Sequence, residues 1–308
     1  MDNIYILYDN HYLIEDIKKN NKTKAIFIEI SFFKGNILLK ILRKIYIKLN
    51  LPFKDIFLNK KELQKHNIKE NDIVIFFDNL SPQYIDLSKK IKGRKKLWIW
   101  NTINESIVNN NNLKYFFKEI YTFDKSDAFK YDFKYLNQFY WKSIKKAEKL
   151  NIDLFFIGQD KDRIRFLYEL DSKIKLNNFI YVIRDKKKIY NKKYEKYLKE
   201  NFLSYENVVK KIFESICLIE ITKKGQIGLT LRALEALFFE KKLITDNKDI
   251  INYDFYNENN IFIIDFENLT NKTIKKIEEF LKKDYIQINE EILEKYTFEY
   301  WLKEICKY

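Results

Sequence analysis

Two of the chain's five glycines, Gly225 and Gly228, stand together in the segment TKKGQIGLTLRALEALFFEKKLITDN, Thr222 to Asn247. The segment follows an apolar run and opens a helical repeat expected to begin near Leu229. A Gly-Gln-x-Gly turn in that position lets backbone N–H groups and a helix N-terminus approach an anion such as a phosphate. Gln226 lies within the turn, Thr230 adds a hydroxyl and Arg232 a planar cationic fork, a set suited to a diphosphate. Glu235, further along the same helix, is placed to accept hydrogen bonds from the paired hydroxyls of a ribose or a sugar. Its competing use is an ordinary polar position on an amphipathic helix.

Other chemically capable residues read as structural. Asp124 and Asp127 in FDKSD have the spacing of a helix N-cap and a first-turn acid. Trp98 and Trp100 alternate with apolar neighbours as core residues do, with stacking on a sugar the rival use. His66 has no neighbouring ligand and reads as a surface residue. Cys217 and Cys306 match no metal spacing and are too few for a disulfide framework, which fits a reducing compartment.

The elements that must position these residues form two series. Continuous apolar runs at Ile4 to Tyr8, Ala25 to Ile30, Ile73 to Phe77, Leu97 to Trp100 and Ile120 to Phe123 read as buried parallel strands. The pattern restarts at Leu154 to Ile157 and continues at Phe179 to Ile183, Ile216 to Ile221, Lys242 to Thr245 and Ile261 to Ile264. A helical, aromatic-rich stretch from Tyr131 to Leu150 is the expected crossover, and Ile274 to Lys282 with Tyr296 to Tyr308 are the closing helices. Gly35 to Leu49 reads as a basic amphipathic helix carrying Lys40, Arg43, Lys44 and Lys48, its apolar stripe expected to bury against the first sheet. The lysine-dense stretch from Lys186 to Lys199 reads as solvated loop and helix.

At 308 residues, with 46% apolar and 17% aromatic residues, the chain has the material for two cores and does not read as disordered. Its net charge of +14 suggests a polyanion partner at first sight. The crowding of Lys, Asn, Ile, Phe and Tyr is instead the bias of a genome rich in A and T, and the cations are spread, so most of that charge reads as solvated surface. The N-terminus shows no signal-peptide pattern, and no run approaches the roughly 18 apolar residues of a membrane span. A cytoplasmic protein, or one peripheral on the inner face of the cytoplasmic membrane, is expected.

The segment GQIGLTLRALEAL…KKLITDN, with YTFDKSDAFKYDFKYLNQFY (Tyr121 to Tyr140) and FFIGQDKDRIRFLYEL (Phe155 to Leu170), resembles in order three blocks of bacterial lipopolysaccharide or capsular polysaccharide biosynthesis glycosyltransferases of the GT-B fold. The resemblance covers roughly Leu97 to Ile264. It implies an α/β chain with two Rossmann-like domains whose parallel sheets face a central cleft. The expected division is an acceptor-binding domain at 1–148, a nucleotide-sugar-binding domain at 149–285, and a C-terminal helix at 286–308 packing back towards the first domain. Gly158, Lys161 and Arg163 then match the loop that opens the second domain, where a glycine permits a tight strand-to-helix turn and two cations neutralise a departing diphosphate. Asp162 occupies a position where the family favours a small residue, and Asp160 has the alternative role of starting a helix in a surface loop.

Many retaining GT-B enzymes carry a second glutamate eight residues before the first, but the position eight before Glu235 is Ile227. Retention or inversion stays open. An inverting enzyme needs a base to deprotonate the acceptor hydroxyl, and Asp78, Asp9 and His11, each just after a strand, are the candidates, with turn or capping roles as alternatives. No metal or other cofactor is expected for the chemistry. The expected partners are a nucleotide sugar, a lipid-linked or oligosaccharide acceptor, and a weak, salt-sensitive contact with an anionic membrane. A non-catalytic GT-B scaffold and a basic nucleic-acid-associated protein are the rival readings, the latter without any common aromatic-basic RNA motif.

Overall fold

The computed structural model describes residues 2–9, 12–33, 37–78, 80–103, 113–141, 150–223 and 225–307. It divides into two compact units, residues 1–137 with 301–308, and residues 138–300. The first unit runs β1 (Ile4–Tyr8), α1 (Tyr12–Asn20), β2 (Ile26–Glu29), β3 (Ser31–Phe32), α2 (Ile37–Lys48), β4 (Leu58–Asn59), β5 (Ile73–Phe77), α3 (Pro82–Ser88), β6 (Arg94–Ile99), α4 (Leu113–Phe116), β7 (Glu119–Thr122), α5 (Lys125–Tyr131) and β8 (Lys134–Tyr135). Its main sheet has the order β2-β1-β5-β6-β7-β8, with every pairing parallel. All five residues of β5, IVIFF, are buried, as a central strand covered on both faces requires. Tyr84, Ile85 and Leu87 of α3 pack with Leu7, Val74, Phe76 and Leu97 on one face.

The second unit runs β9 (Ile152–Gln159), α6 (Ile164–Lys173), β10 (Asn178–Ile183), β11 (Leu198–Lys199), α7 (Tyr205–Phe213), β12 (Ser215–Glu220), α8 (Leu231–Phe238), β13 (Lys242–Thr245), β14 (Ile261–Ile263), α9 (Asn271–Lys282) and α10 (Glu290–Glu294). Its sheet has the order β11-β10-β9-β12-β13-β14, again parallel throughout. The core gathers Leu154, Phe156, Ile219 and Ile244 from the strands with Leu167, Leu170 and Ile277 from the helices. Ser204, Thr230 and Thr270 cap α7, α8 and α9 through their side-chain oxygens. The last helix, α11 (Phe298–Cys306), begins in this unit, and from Trp301 onward it belongs to the first.

Three sequence expectations fail. The helix expected over Tyr131 to Leu150 stops at Tyr131, because Asp132 adopts a left-handed backbone (φ 53°) and returns its N–H to the Ala128 carbonyl. Residues 134 and 135 form β8, and Tyr140 exchanges backbone hydrogen bonds with Tyr296 and Phe298, which demands an extended chain. Residues 142–149 lie outside the described residues. The apolar stripe of α2 is not buried either. The sheet faces it would need are occupied, one by α3 and the other by α1 and the Trp301 side chain. In the Lys186 to Lys199 stretch, a single turn at Lys192–Tyr194 and β11 replace the expected helix, while the lysines from 186 to 188 and at 192 and 193 do face solvent or lie half-exposed.

Trp301 seals the first unit's sheet. It is fully buried, with its ring edge-on to Trp98 at 5.3 Å and to Phe77 at 5.9 Å. Trp301→Ala should cost about 3–5 kcal/mol through the cavity it leaves, read as a lower urea midpoint. A loss under about 1 kcal/mol would show that the C-terminal helix is dispensable to this core.

Candidate functional site

In an open parallel sheet, ligands bind outside the carboxyl ends of the strands where the strand order reverses. In the second unit that point lies between β9 and β12, since the chain passes from β9 to β10 on one side and returns to β12 on the other. Gly158, Lys161 and Arg163 follow β9, and Gly225 to Glu235 follow β12, so the two predicted groups meet there. Lys161 and Asp162 are both left-handed (φ 40° and 66°), which is why a small residue suits position 162. The Asp160 carboxylate accepts from the Ile164 N–H at 3.0 Å and starts α6, while its other oxygen holds Lys188 and Tyr190. A Cβ on Gly158 would lie 3.3 Å from the Phe156 ring and 3.6 Å from the Arg163 guanidinium, so the glycine keeps space beside that cation.

Helix α8 begins at Leu231, two residues later than expected, because Thr230 takes the cap position and its hydroxyl oxygen accepts from the N–H groups of Arg232 and Ala233. The same hydroxyl donates to Glu220, whose other oxygen accepts from Thr245. Gly225 is left-handed (φ 84°) and has open space around it, as the turn requires; the Gln226 N–H closes that turn on the Lys223 carbonyl at 2.9 Å. Gly228 is buried just before the cap.

Electrostatics concentrate positive charge at this point. Burial holds Lys161 below its ordinary value, and the neighbouring charges of Arg163 and Lys223 lower it further. Burial likewise lowers Arg163, with Asp246 and Glu220 opposing and Arg232 adding to the effect. Desolvation raises the buried Glu220 carboxyl against the hydrogen bonds from Thr230 and Thr245. An incoming dianion would relieve the repulsion among the cations.

Glu235 does not point at open space. It is 2% exposed; one carboxylate oxygen lies 2.6 Å from the Arg232 guanidinium, and the other accepts from the Tyr205 hydroxyl at 3.0 Å. Tyr205 in turn is 2.9 Å from the Tyr140 hydroxyl. Arg232 also donates to the Ile157 carbonyl at the end of β9 at 3.2 Å and lies over the Phe155 ring. A buried chain therefore runs Tyr140, Tyr205, Glu235, Arg232 and fixes the guanidinium at the strand ends.

The first unit has its own reversal between β1 and β5, and a cavity of about 170 Å³ opens there, lined by Tyr8, Asp9, Phe77, Asp78, Trp100 and Asn101 among others. Two of the three candidate bases, Asp9 and Asp78, thus share one cavity, while His11 lies outside the described residues. Asp78 is left-handed (φ 50°), and its Oδ1 accepts from the N–H groups of Trp100 at 2.7 Å and Asn101 at 3.2 Å. Its other oxygen accepts from the Asn101 side chain. Desolvation outweighs these bonds and pushes its carboxyl up to about 6. Asp124 caps α5, and Asp127 accepts from the Ile103 N–H, both structural as read. Trp98 is buried in the core, His66 packs edge-on to Tyr5, and Trp100 lines the cavity.

Sequence reasoning missed Glu220, Asp246 and Tyr205. Glu220 was visible as a carboxylate ending an apolar strand, and Asp246, which accepts from the Thr222 N–H at 2.8 Å, as the acid just after the next strand. Tyr205 gave no local signal, since its partner Glu235 is thirty residues away.

No protein-family model matches the chain, and no curated protein sequence matches it. Its fold is matched by solved structures of low sequence identity. An apo structure of OtsA superposes with a TM-score of 0.55 at 10% identity, covering 99% of both chains. The E. coli trehalose-6-phosphate protein bound with UDP-2-fluoro glucose matches at 0.53 and 11% identity, over 98% of this chain and 95% of the other. A trehalose-6-phosphate synthase studied with bisubstrate glycomimetics matches at 0.51 and 11%, over 98% and 94%. The chain has the α/β GT-B fold of these proteins, with a parallel six-stranded sheet in each unit.

Proposed function

We propose that the protein is a Leloir-type glycosyltransferase that moves a sugar from a nucleotide-sugar donor to a bacterial surface glycan, lipopolysaccharide, lipooligosaccharide or capsule. The observation that carries this reading is the meeting of Lys161, Arg163, Arg232 and the capped N-terminus of α8 at the strand reversal of the second sheet. That arrangement suits a diphosphate, and a protein of the same fold is bound with UDP-2-fluoro glucose. The surface-glycan acceptor rests on the block resemblance alone, and a lipid-linked acceptor would place the work at the inner face of the cytoplasmic membrane. In this reading Gly158, Gly225, Gln226 and Gly228 bring backbone close to the donor, and Lys161 and Arg163 stabilise the leaving diphosphate without a metal. Glu235 acts by positioning Arg232. Asp78, with Asp9 beside it, supplies the base that takes the acceptor proton.

Titration of the full-length protein with nucleoside diphosphates tests the donor site. Arg163→Ala should weaken binding about tenfold or more, the loss of one charged hydrogen-bonding group, without lowering the melting temperature, because it removes a like charge from the cluster. An unchanged affinity in a folded Arg163→Ala protein, or no nucleoside diphosphate bound by wild type, would remove the site.

Glu235→Gln keeps the side-chain shape but discharges the partner of Arg232. A hydrogen bond to a charged group is worth roughly 1.5–3 kcal/mol, so transfer should fall about 10- to 150-fold, with Tyr205→Phe producing a smaller fall in the same direction. Full transfer by a folded Glu235→Gln protein would defeat the positioning role. Binding of a nucleotide sugar with neither transfer nor donor hydrolysis in wild type would make the fold a scaffold.

Asp78 holds its proton in the folded state up to about pH 6, against an ordinary value of 3.8. The stability this contributes is complete below about pH 4 and is lost as pH rises through 6, so at pH 7 its charge is a cost. Asp78→Asn should therefore abolish transfer while leaving stability at pH 7 unchanged or higher, and the wild-type rate should fall on the acid side with a midpoint near 6. An acid limb centred near 4, or an active Asp78→Asn enzyme, would transfer the role to Asp9.

A further inference from the structure

Helix α2 leaves much of its apolar surface in water. None of its residues is buried; Ile37 and Leu38 are 76% and 62% exposed, and Leu49, just beyond its end, is 63% exposed. Ile41, Ile45 and Ile47 are exposed as well, and Phe33, Phe53 and Ile56 extend the patch. At about 100° per residue, Ile37, Leu38, Ile41, Ile45 and Leu49 share one arc, with Lys44 at its edge and Lys48 between Ile37 and Ile41. The opposite flank is fastened to the unit: the Tyr46 ring lies 5.1 Å from Phe57, and the Arg43 guanidinium sits 4.6 Å over Phe32. The apolar arc is therefore held outward. Among the described residues, no helix is long and apolar enough to cross a membrane.

The charge around the arc has one sign. From Ile37 to Lys61 the only acidic residue is Asp55, and its side chain is fully buried and ion-paired with Lys60 at 2.8 Å and Lys90 at 2.6 Å. Lys40, Lys44 and Lys48 stand exposed beside the aliphatic residues. We propose that α2 docks the protein on an anionic membrane surface. Its apolar arc enters the boundary between headgroups and acyl chains, and its lysines lie among anionic headgroups. A second copy of the chain is the poorer occupant, because two-fold pairing sets each patch against itself and brings like charges together. The inference deepens the surface-glycan reading by naming where the acceptor is met, and it stands without glycosyl transfer.

The test is co-sedimentation of the full-length protein with phosphatidylcholine vesicles, with and without phosphatidylglycerol. At low salt, partition onto the anionic vesicles should exceed that onto neutral ones about tenfold or more, and fall several-fold at about 0.5 M salt. Ile41→Asn with Ile45→Asn should lower partition about tenfold or more at either salt. Lys40→Gln with Lys44→Gln and Lys48→Gln should lower it at low salt only. Both variants should keep the melting temperature and the nucleoside diphosphate affinity. Wild type that ignores anionic vesicles at low salt, an apolar variant that partitions like wild type, or a soluble dimer dispersed by that variant would each overturn the proposal. Nucleotide titration of the same samples keeps its failure distinct from failure of the glycosyltransferase reading.

Discussion

An all-parallel sheet cannot be closed by hairpins, so each strand must be followed by a crossover that returns the chain to the same edge. The chain then builds outward from β1 in the first unit and from β9 in the second, and must reverse once to fill the other side. At each reversal two successive crossovers leave in opposite directions and leave the strand ends between them uncovered. The candidate residues of each unit lie at these places: Asp9 and Asp78 at one, Lys161, Arg163 and Arg232 at the other. The sheets place these groups, and the loops only choose which residues arrive.

Holding cations at an uncovered strand end is costly unless their partners are fixed beforehand. In the second unit this is done from beneath. Arg232 is gripped by the Ile157 carbonyl and by Glu235, and Glu235 is held by Tyr205 and, through it, Tyr140. A buried ion pair of this kind adds little net stability, since desolvation offsets the attraction. Its effect here is geometric: the Ile157 carbonyl and Glu235 hold the guanidinium from two sides. Glu220 does the same for Thr230, so the helix cap and the strand end are tied by one buried carboxylate.

The first unit balances its charges differently. Around the segment that follows α2, Asp55 and Asp86 are both buried or nearly so and are neutralised by Lys54, Lys60, Lys89 and Lys90, which hold their carboxyls below the ordinary range. This ionic cluster anchors the loop after α2 to α3 and leaves the helix itself with a purely positive, apolar exterior.

The sequence by itself determined the strands and the two-sheet architecture, because a parallel strand buried on both faces must be a continuous apolar run; Ile4 to Tyr8, Ile73 to Phe77 and Lys242 to Thr245 coincide with the observed strands. It also located the glycine turn, where Gly225 takes up a left-handed backbone that suits a glycine. What only the tertiary structure decided were the long-range partners. Helical period showed that residues 37–48 form an amphipathic helix but not that α1, α3 and Trp301 would already cover the sheet. The aromatic stretch after Tyr131 has helical spacing, yet Asp132 ends the helix and Tyr140 pairs with a segment more than 150 residues away. Glu235 drew notice in the sequence by its position, but its contacts were not legible there. Periodicity reports which side of a helix a residue occupies, whereas the distant Tyr205 and the neighbouring Arg232 decide whether its carboxylate is free for a ligand or already bound.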